Sequence, residues 1–149
     1  QTNTNIFDRS NATITLLEDI ILKELDLFFK KFKSHDNVIF NNWPEKKKLD
    51  GWFVRLVQNG HLSSHIHPTG WVSGVLYLKT VQSPSEGEGA IEFSIQGYDY
   101  PIIRNDYPRR LHQPMDGEIV LFPSSLFHRT IPVIKDVERS VIAFDLNPG

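Results

Sequence analysis

The segment HLSSHIHPTG, residues 61–70, holds three of the chain's six histidines, His61, His65 and His67, and closes on a turn at Pro68 and Gly70. Imidazole binds transition metals through a neutral nitrogen. On an extended strand residues i and i+2 share a face, so His65 and His67 point one way and Ile66 the other. That spacing makes a chelating pair at a strand end, where one side of a metal stays open. Two hydrogen-bonded histidines without a metal fit the same three residues, and a further ligand is what separates the two readings. The candidate is His128 in LFPSSLFHRTIPV, where alternation puts Leu126, His128 and Thr130 on one face. A lone histidine among apolar neighbours is also an ordinary core residue. His128 follows His67 by 61 residues, room for several strands, so the nitrogens converge only if sequence-distant strands meet inside a closed fold.

Arg139, in ERSVIAFDL, shares a strand face with Val141 and Ala143. Turned inward, its guanidinium needs an anion; on an edge strand it lies in water. The planar fork of donors matches a carboxylate, and beside a metal a bound organic acid would satisfy it. No paired carboxylates or Ser-His-Asp arrangement suggest hydrolytic chemistry.

The elements that must position these groups fall into two parts. Ile14, Leu17, Ile21, Leu25, Phe28 and Phe32 recur at helical spacing, predicting a helix over 14–33 that packs against a sheet. Thr15 and Glu18 are spaced for a capping box, Glu18 and Asp19 suit the positive end of the dipole, and Lys30, Lys31 and Lys33 suit the negative end. Beyond Asn41 short β-branched and aromatic runs, broken by Gly, Pro, Asn and Asp, predict antiparallel strands near 52–58, 62–67, 71–80, 90–95, 101–104, 109–113, 118–122, 126–131 and 139–146. Eight or nine short strands suggest a mainly β jelly roll. Residues 82–90 form a polar loop, and the Tyr- and Pro-rich segment 97–110 can hang over a site.

With 149 residues the expectation is one domain, a helical segment over 1–41 followed by a β core over about 50–147. Cysteine is absent, which excludes disulfides, thiolate metal sites and cysteine nucleophiles. A net charge of −2, with the lysines in short runs, makes nucleic acid an unexpected partner. No apolar run reaches the roughly 18 residues of a membrane helix, and QTNTN is no signal peptide, so a soluble, cytoplasmic protein is expected. Glutamine at position 1 is compatible with a domain cut from a longer polypeptide.

Taken together and in order, WFVRL (52–56), HIHP (65–68), WVSGVLYL (71–78), LFPSSLFHRTIP (121–132) and ERSVIAFD (138–145) resemble the iron(II)/2-oxoglutarate-dependent oxygenases, most closely their prolyl-hydroxylase-like group. The resemblance implies a double-stranded β-helix with Fe(II) and 2-oxoglutarate bound inside one end. It implies His65 as the first metal ligand, His67 at the position usually held by Asp or Glu, and His128 as the distal ligand. Arg139 then matches the residue that pairs with the far carboxylate of 2-oxoglutarate, and Tyr77 a tyrosine that hydrogen-bonds the same group. Arg55 and Trp71 fall close enough in sequence to line the substrate side, without an assigned role. The implied activity is a dioxygenase, a hydroxylase of an unidentified small-molecule or peptide substrate, consuming O2 and releasing succinate and CO2. The departure is at His67: the chain uses three imidazoles, or an acid such as Asp116 or Glu118 completes the set, or His67 sits behind the ligands. Three histidines need no rearrangement. The alternatives are a three-histidine cupin, whose glutamate is missing at positions 71 and 72 and which gives Arg139 no role, and a jelly-roll binding domain without activity.

Overall fold

The computed structural model describes residues 1–149 except Ser83, in the polar loop expected over 82–90, and Asp99, in the segment 97–110. The long helix, α1, runs from Ala12 to Phe32, starting two residues earlier than its apolar spacing suggests. Asn11 is the cap: it is extended and its side chain accepts from Thr13 N at 2.8 Å. The Thr15–Glu18 capping box therefore does not form. Thr15 lies inside the first turn and hands its hydroxyl proton to the Asn11 carbonyl at 3.2 Å. Asparagine caps as well as serine or threonine, so the upstream cap wins and extends the helix. Lys30 and Lys31 fall in the last turn as expected. A second, four-residue helix, α2 (Val38–Asn41), follows.

Among the described residues eight strands come next: β1 (Lys47–Leu56), β2 (Leu62–His65), β3 (Val72–Lys79), β4 (Ile91–Ser94), β5 (Arg109–His112), β6 (Ile119–Pro123), β7 (Phe127–Thr130) and β8 (Arg139–Pro148). They form two four-stranded antiparallel sheets, ordered β1-β8-β3-β6 and β2-β7-β4-β5. The strand expected over 101–104 is absent. Pro101 and Pro108 remove backbone donors from that stretch, and Ile102 and Ile103 stand 64% and 83% exposed.

Alternation along the first sheet divides it cleanly. Trp52, Val54, Val75, Tyr77, Phe122, Val141 and Ala143 belong to the apolar core between the sheets. Leu49, Val72, Phe144 and Leu146 turn to the other face, where they pack with Ile21 and Leu25 of α1. The helix thus covers the outer face of this sheet, as its apolar stripe predicts. Gly74 makes the close packing there possible: a Cβ would come within 2.2 Å of the Phe144 ring and 2.8 Å of Leu121. Phe28, Phe29, Phe32, Phe40 and Trp43 add an aromatic layer joining α1 to α2, with Phe29 and Trp43 stacked at 4.9 Å. Among the described residues no helix is long and apolar enough to cross a membrane.

Candidate metal centre

β2 and β7 are antiparallel neighbours with His65 directly opposite His128. Their rings lie 4.4 Å apart between centroids, and His67, just past the end of β2, stands 5.2 Å from His65 and 5.0 Å from His128. One ligating nitrogen from each lies within 4.8 Å of the others. The three histidines singled out in the sequence thus come together, although not by simple alternation: the strand expected over 62–67 has a bulge after Leu62 and stops at His65, and Ile66 lines the same cavity as its two neighbours. His61 is exposed and stays outside the cluster, its Nδ1 3.4 Å from the Asn59 carbonyl.

Each ring is oriented through Nδ1. In His65 that atom lies 2.7 Å from the Ser63 carbonyl, in His128 3.0 Å from the Leu126 carbonyl, and in His67 2.6 Å from Asp145 Oδ1. The carbonyls only accept, and so does the carboxylate against His67, whose Nδ1 also lies 3.1 Å from Ser73 Oγ; a neutral ring so held carries its proton on Nδ1 and leaves Nε2 with its lone pair. Burial pushes His128 down to about 4, with a further push from the neighbouring His65 and His67. Burial likewise lowers His65. Neutral rings are what a metal requires, since protons and metal compete for the same lone pair.

The backbone at His67 is fixed as firmly as its ring. Its N–H donates to the Ser124 carbonyl at 2.9 Å, and its carbonyl accepts from Gly70 N at 3.1 Å, closing the Pro68–Thr69 turn. Gly70 is required here, because a Cβ would meet Ser124 Oγ at 2.6 Å.

The histidines line a cavity of about 370 Å³ between the two sheets, in the usual range of roughly 300–1,000 Å³ for small-molecule sites. Its wall includes Arg139, Val141, Ala143 and Asp145, the inward residues of β8, together with Tyr77, Trp52 and Leu62. Arg139 is 2% exposed. Its Nε donates to the Gly89 carbonyl at 3.1 Å, and the guanidinium lies 5.0 Å from the Tyr77 ring centroid. No carboxylate among the described residues pairs with it, and burial pulls its pKa below the ordinary arginine value. Tyr77 is fully buried and its hydroxyl has no partner in hydrogen-bonding geometry; burial pushes it up to about 12, against the pull of the nearby guanidinium. The inward reading of Arg139 holds, and the edge-strand alternative does not.

Other sequence candidates lie elsewhere. Arg55 is exposed and paired with Glu138 at 2.5 Å, because Trp52 and Val54 take the inward positions of β1. Trp71 turns under the helical layer, donating from Nε1 to the Ile39 carbonyl at 3.0 Å. Asp116 accepts from the Thr80 amide and hydroxyl, and Glu118 from Met115 N while lying 2.7 Å from His112 Nε2. Neither acid lines the cavity. Asp145 and Trp52 were the residues missed; extending the Arg139, Val141, Ala143 face by one more step reaches Asp145, and the same alternation in β1 reaches Trp52.

Residues 50–145 match the family described as "Putative 2OG-Fe(II) oxygenase". The chain belongs to that family. Its name carries the cofactors Fe(II) and 2-oxoglutarate, and both fit the residues present: three imidazoles with their nitrogens close together for the metal, and a buried guanidinium that no carboxylate among the described residues answers, beside the Tyr77 hydroxyl, for a carboxylate. No curated protein sequence matches the chain. Among solved structures, an oxidoreductase of the 2OG-Fe(II) oxygenase family from Burkholderia pseudomallei aligns at 15% identity and a TM-score of 0.55, covering 74% of this chain and 48% of its own. A prolyl-4-hydroxylase from Pseudomonas putida aligns at 18% identity and 0.53, covering 68% and 54%. HygX from Streptomyces hygroscopicus, solved with nickel, 2-oxoglutarate and hygromycin B, aligns at 17% identity and 0.51, covering 80% and 64%. These likenesses are of fold. The chain spans about half the length of the first two.

Proposed function

We propose that the chain is a non-haem Fe(II)- and 2-oxoglutarate-dependent dioxygenase domain, acting as a hydroxylase, built on a double-stranded β-helix. The sheet orders β1-β8-β3-β6 and β2-β7-β4-β5 support the jelly-roll reading. The observation that carries the function is the pairing, within one cavity, of a three-nitrogen cluster with a buried Arg139 that no carboxylate among the described residues answers. His65, His67 and His128 are read as the metal ligands, and Arg139 and Tyr77 as the grip on the far carboxylate of 2-oxoglutarate.

When bound, Fe(II) with 2-oxoglutarate and O2 supplies the oxidising power, converting the acid to succinate and CO2 as the substrate is oxidised. The chain supplies position and environment. Through their Nδ1 partners the imidazoles hold their lone pairs on a common point. Arg139 offers its remaining guanidinium donors and Tyr77 its hydroxyl proton to a carboxylate, which fixes the acid's orientation along the cavity. Val75, Phe122, Val141 and Ala143 make the wall apolar and restrict water around the reacting groups. None of these side chains has to gain or lose a proton. A three-histidine cupin would share the ligands but would leave the guanidinium buried without an anion, which disfavours it.

The test is aerobic incubation with Fe(II), 2-oxoglutarate and a panel of metabolites and peptides, with succinate measured. Fe(II)-dependent succinate, stimulated by a panel member and lost in His128→Ala, is expected. Full iron loading without consumption of 2-oxoglutarate under any condition refutes the proposal.

A further inference from the structure

Mononuclear iron sites of this class usually set one carboxylate beside two histidines, and its charge offsets that of the metal. Here the third position is His67, and among the described residues the acid that lines the same cavity is Asp145, in contact with the far side of that ring. We propose that Asp145 is the displaced carboxylate of this centre, a positioning residue that acts through His67, aiming its Nε2 and supplying the negative charge that tightens divalent-metal binding. The inference rests on the three histidines being the ligands.

The carboxylate is buried, 7% exposed, and touches the ring of His67 through its Oδ1. Oδ1 receives two short contacts, from His67 Nδ1 and from Ser73 Oγ, each at 2.6 Å. Ser73 is itself fully buried and lies 2.8 Å from Ser124 Oγ, while the Ser124 carbonyl accepts from His67 N. Ring and backbone of His67 are therefore held by one connected network. Gly70 lets the turn close onto it, because a Cβ there would come within 3.2 Å of Asp145 Cγ.

Such a carboxylate is costly when, among the described residues, no lysine or arginine answers it, and an asparagine would hold the ring equally well as an acceptor. A divalent cation on Nε2 of His67 is the missing partner. Charge then passes from Asp145 through the imidazole to the metal, raising the basicity of that ligand. β8 accordingly serves both ends of the cavity, presenting Arg139 to the acid and Asp145 to the metal's ligand from one inward face.

The test uses Co(II) alone, titrated into the full chain against a chromophoric chelator, with the Co(II) ligand-field spectrum recorded and a thermal melt of each metal-free variant as the check on folding. Asp145→Asn keeps an acceptor for Nδ1 and removes the charge. It is expected to bind Co(II) about 10- to 100-fold more weakly than the wild type, the usual effect of losing such an outer partner, with a shifted spectrum and no loss of melting temperature. Placing the charge directly on the metal, in the His67→Asp/Asp145→Asn double variant, should restore most of the lost affinity. If Asp145→Asn does not fold, Asp145→Ser is read in the same titration: weaker Co(II) binding than the wild type supports the proposal, and wild-type affinity overturns it. Wild-type affinity in Asp145→Asn, while His128→Ala loses binding, overturns the role of Asp145 and leaves the three-histidine site standing. A wild type that takes up no Co(II) overturns both.

Discussion

Arg139→Met should stabilise the metal-free protein and weaken its complex with 2-oxoglutarate, and the two effects together are diagnostic. The guanidinium is 2% exposed, donates from Nε to the Gly89 carbonyl and lies 5.0 Å from the Tyr77 ring. Keeping such an ion out of water costs several kcal/mol. Against that stand about 2 kcal/mol for the hydrogen bond and the carbonyl it leaves behind and about 1 kcal/mol for the contact with the ring. Methionine fills similar space without charge, so the balance is a gain of about 1 kcal/mol, or roughly 2–4 °C in melting temperature for a chain of this size. With a redox-inert divalent metal and 2-oxoglutarate at about 100 times its Kd, the wild type gains about 2.7 kcal/mol. The variant loses about 1.5–3 kcal/mol of charge-assisted bonding to the acid and gains far less. The order of melting temperatures therefore inverts when 2-oxoglutarate is added. Paired thermal melts with and without the acid read this directly. A variant that melts well below the wild type without the acid, or that gains as much from it, refutes the claim that Arg139 is held buried for an anion.

Gly74→Ala should lower stability by about 1–3 kcal/mol in urea unfolding, since its Cβ would overlap the buried Phe144 ring. Asn11→Ala removes the cap of α1 and should cost about 1 kcal/mol in the same assay, whereas Thr15→Ala should cost less, because Thr15 caps nothing. For the metal-free protein, His128 has its pKa near 4 when folded and the ordinary 6.5 when unfolded. The unfolded chain then takes up the proton first, so stability present above pH 6.5 falls as pH drops toward 4, by about 3 kcal/mol at most. His128→Phe should flatten that slope in melts recorded across the window, and an unchanged slope would contradict it. Ile21→Ala or Leu25→Ala should cost about 2–5 kcal/mol and loosen the helix from the sheet, seen as faster amide exchange in α1.

Period-2 alternation makes part of the candidate site legible in the sequence. It sets Arg139 with Val141 and Ala143, because a strand leaves little choice of side once one residue is known to be buried, but it does not hold through 62–67: β2 has a bulge after Leu62 and ends at His65, and Ile66 lines the same cavity as the two histidines beside it. It could not say which strands are neighbours. That His65 lies opposite His128 depends on how eight strands are distributed between two sheets, information held in non-local packing. The same limit hid Asp145, whose meaning comes from contact with His67 across 78 positions of sequence. The false strand at 101–104 shows the converse error: Ile102 and Ile103 look like strand residues, but the prolines around them withhold the donors a ladder needs. Arg55 and Trp71 failed because nearness in sequence to a ligand says nothing about side, and Trp52, on the inward face of β1, lines the cavity instead.

The central claim, that three imidazoles and a guanidinium frame one metal and one dicarboxylic acid, is tested most directly by adding 2-oxoglutarate to Fe(II)-loaded protein without oxygen and recording the visible spectrum. The account predicts a weak charge-transfer band that saturates at one acid per iron, disappears in His128→Ala and needs far more acid in Arg139→Met. An iron-loaded wild type that stays colourless at saturating 2-oxoglutarate would contradict it.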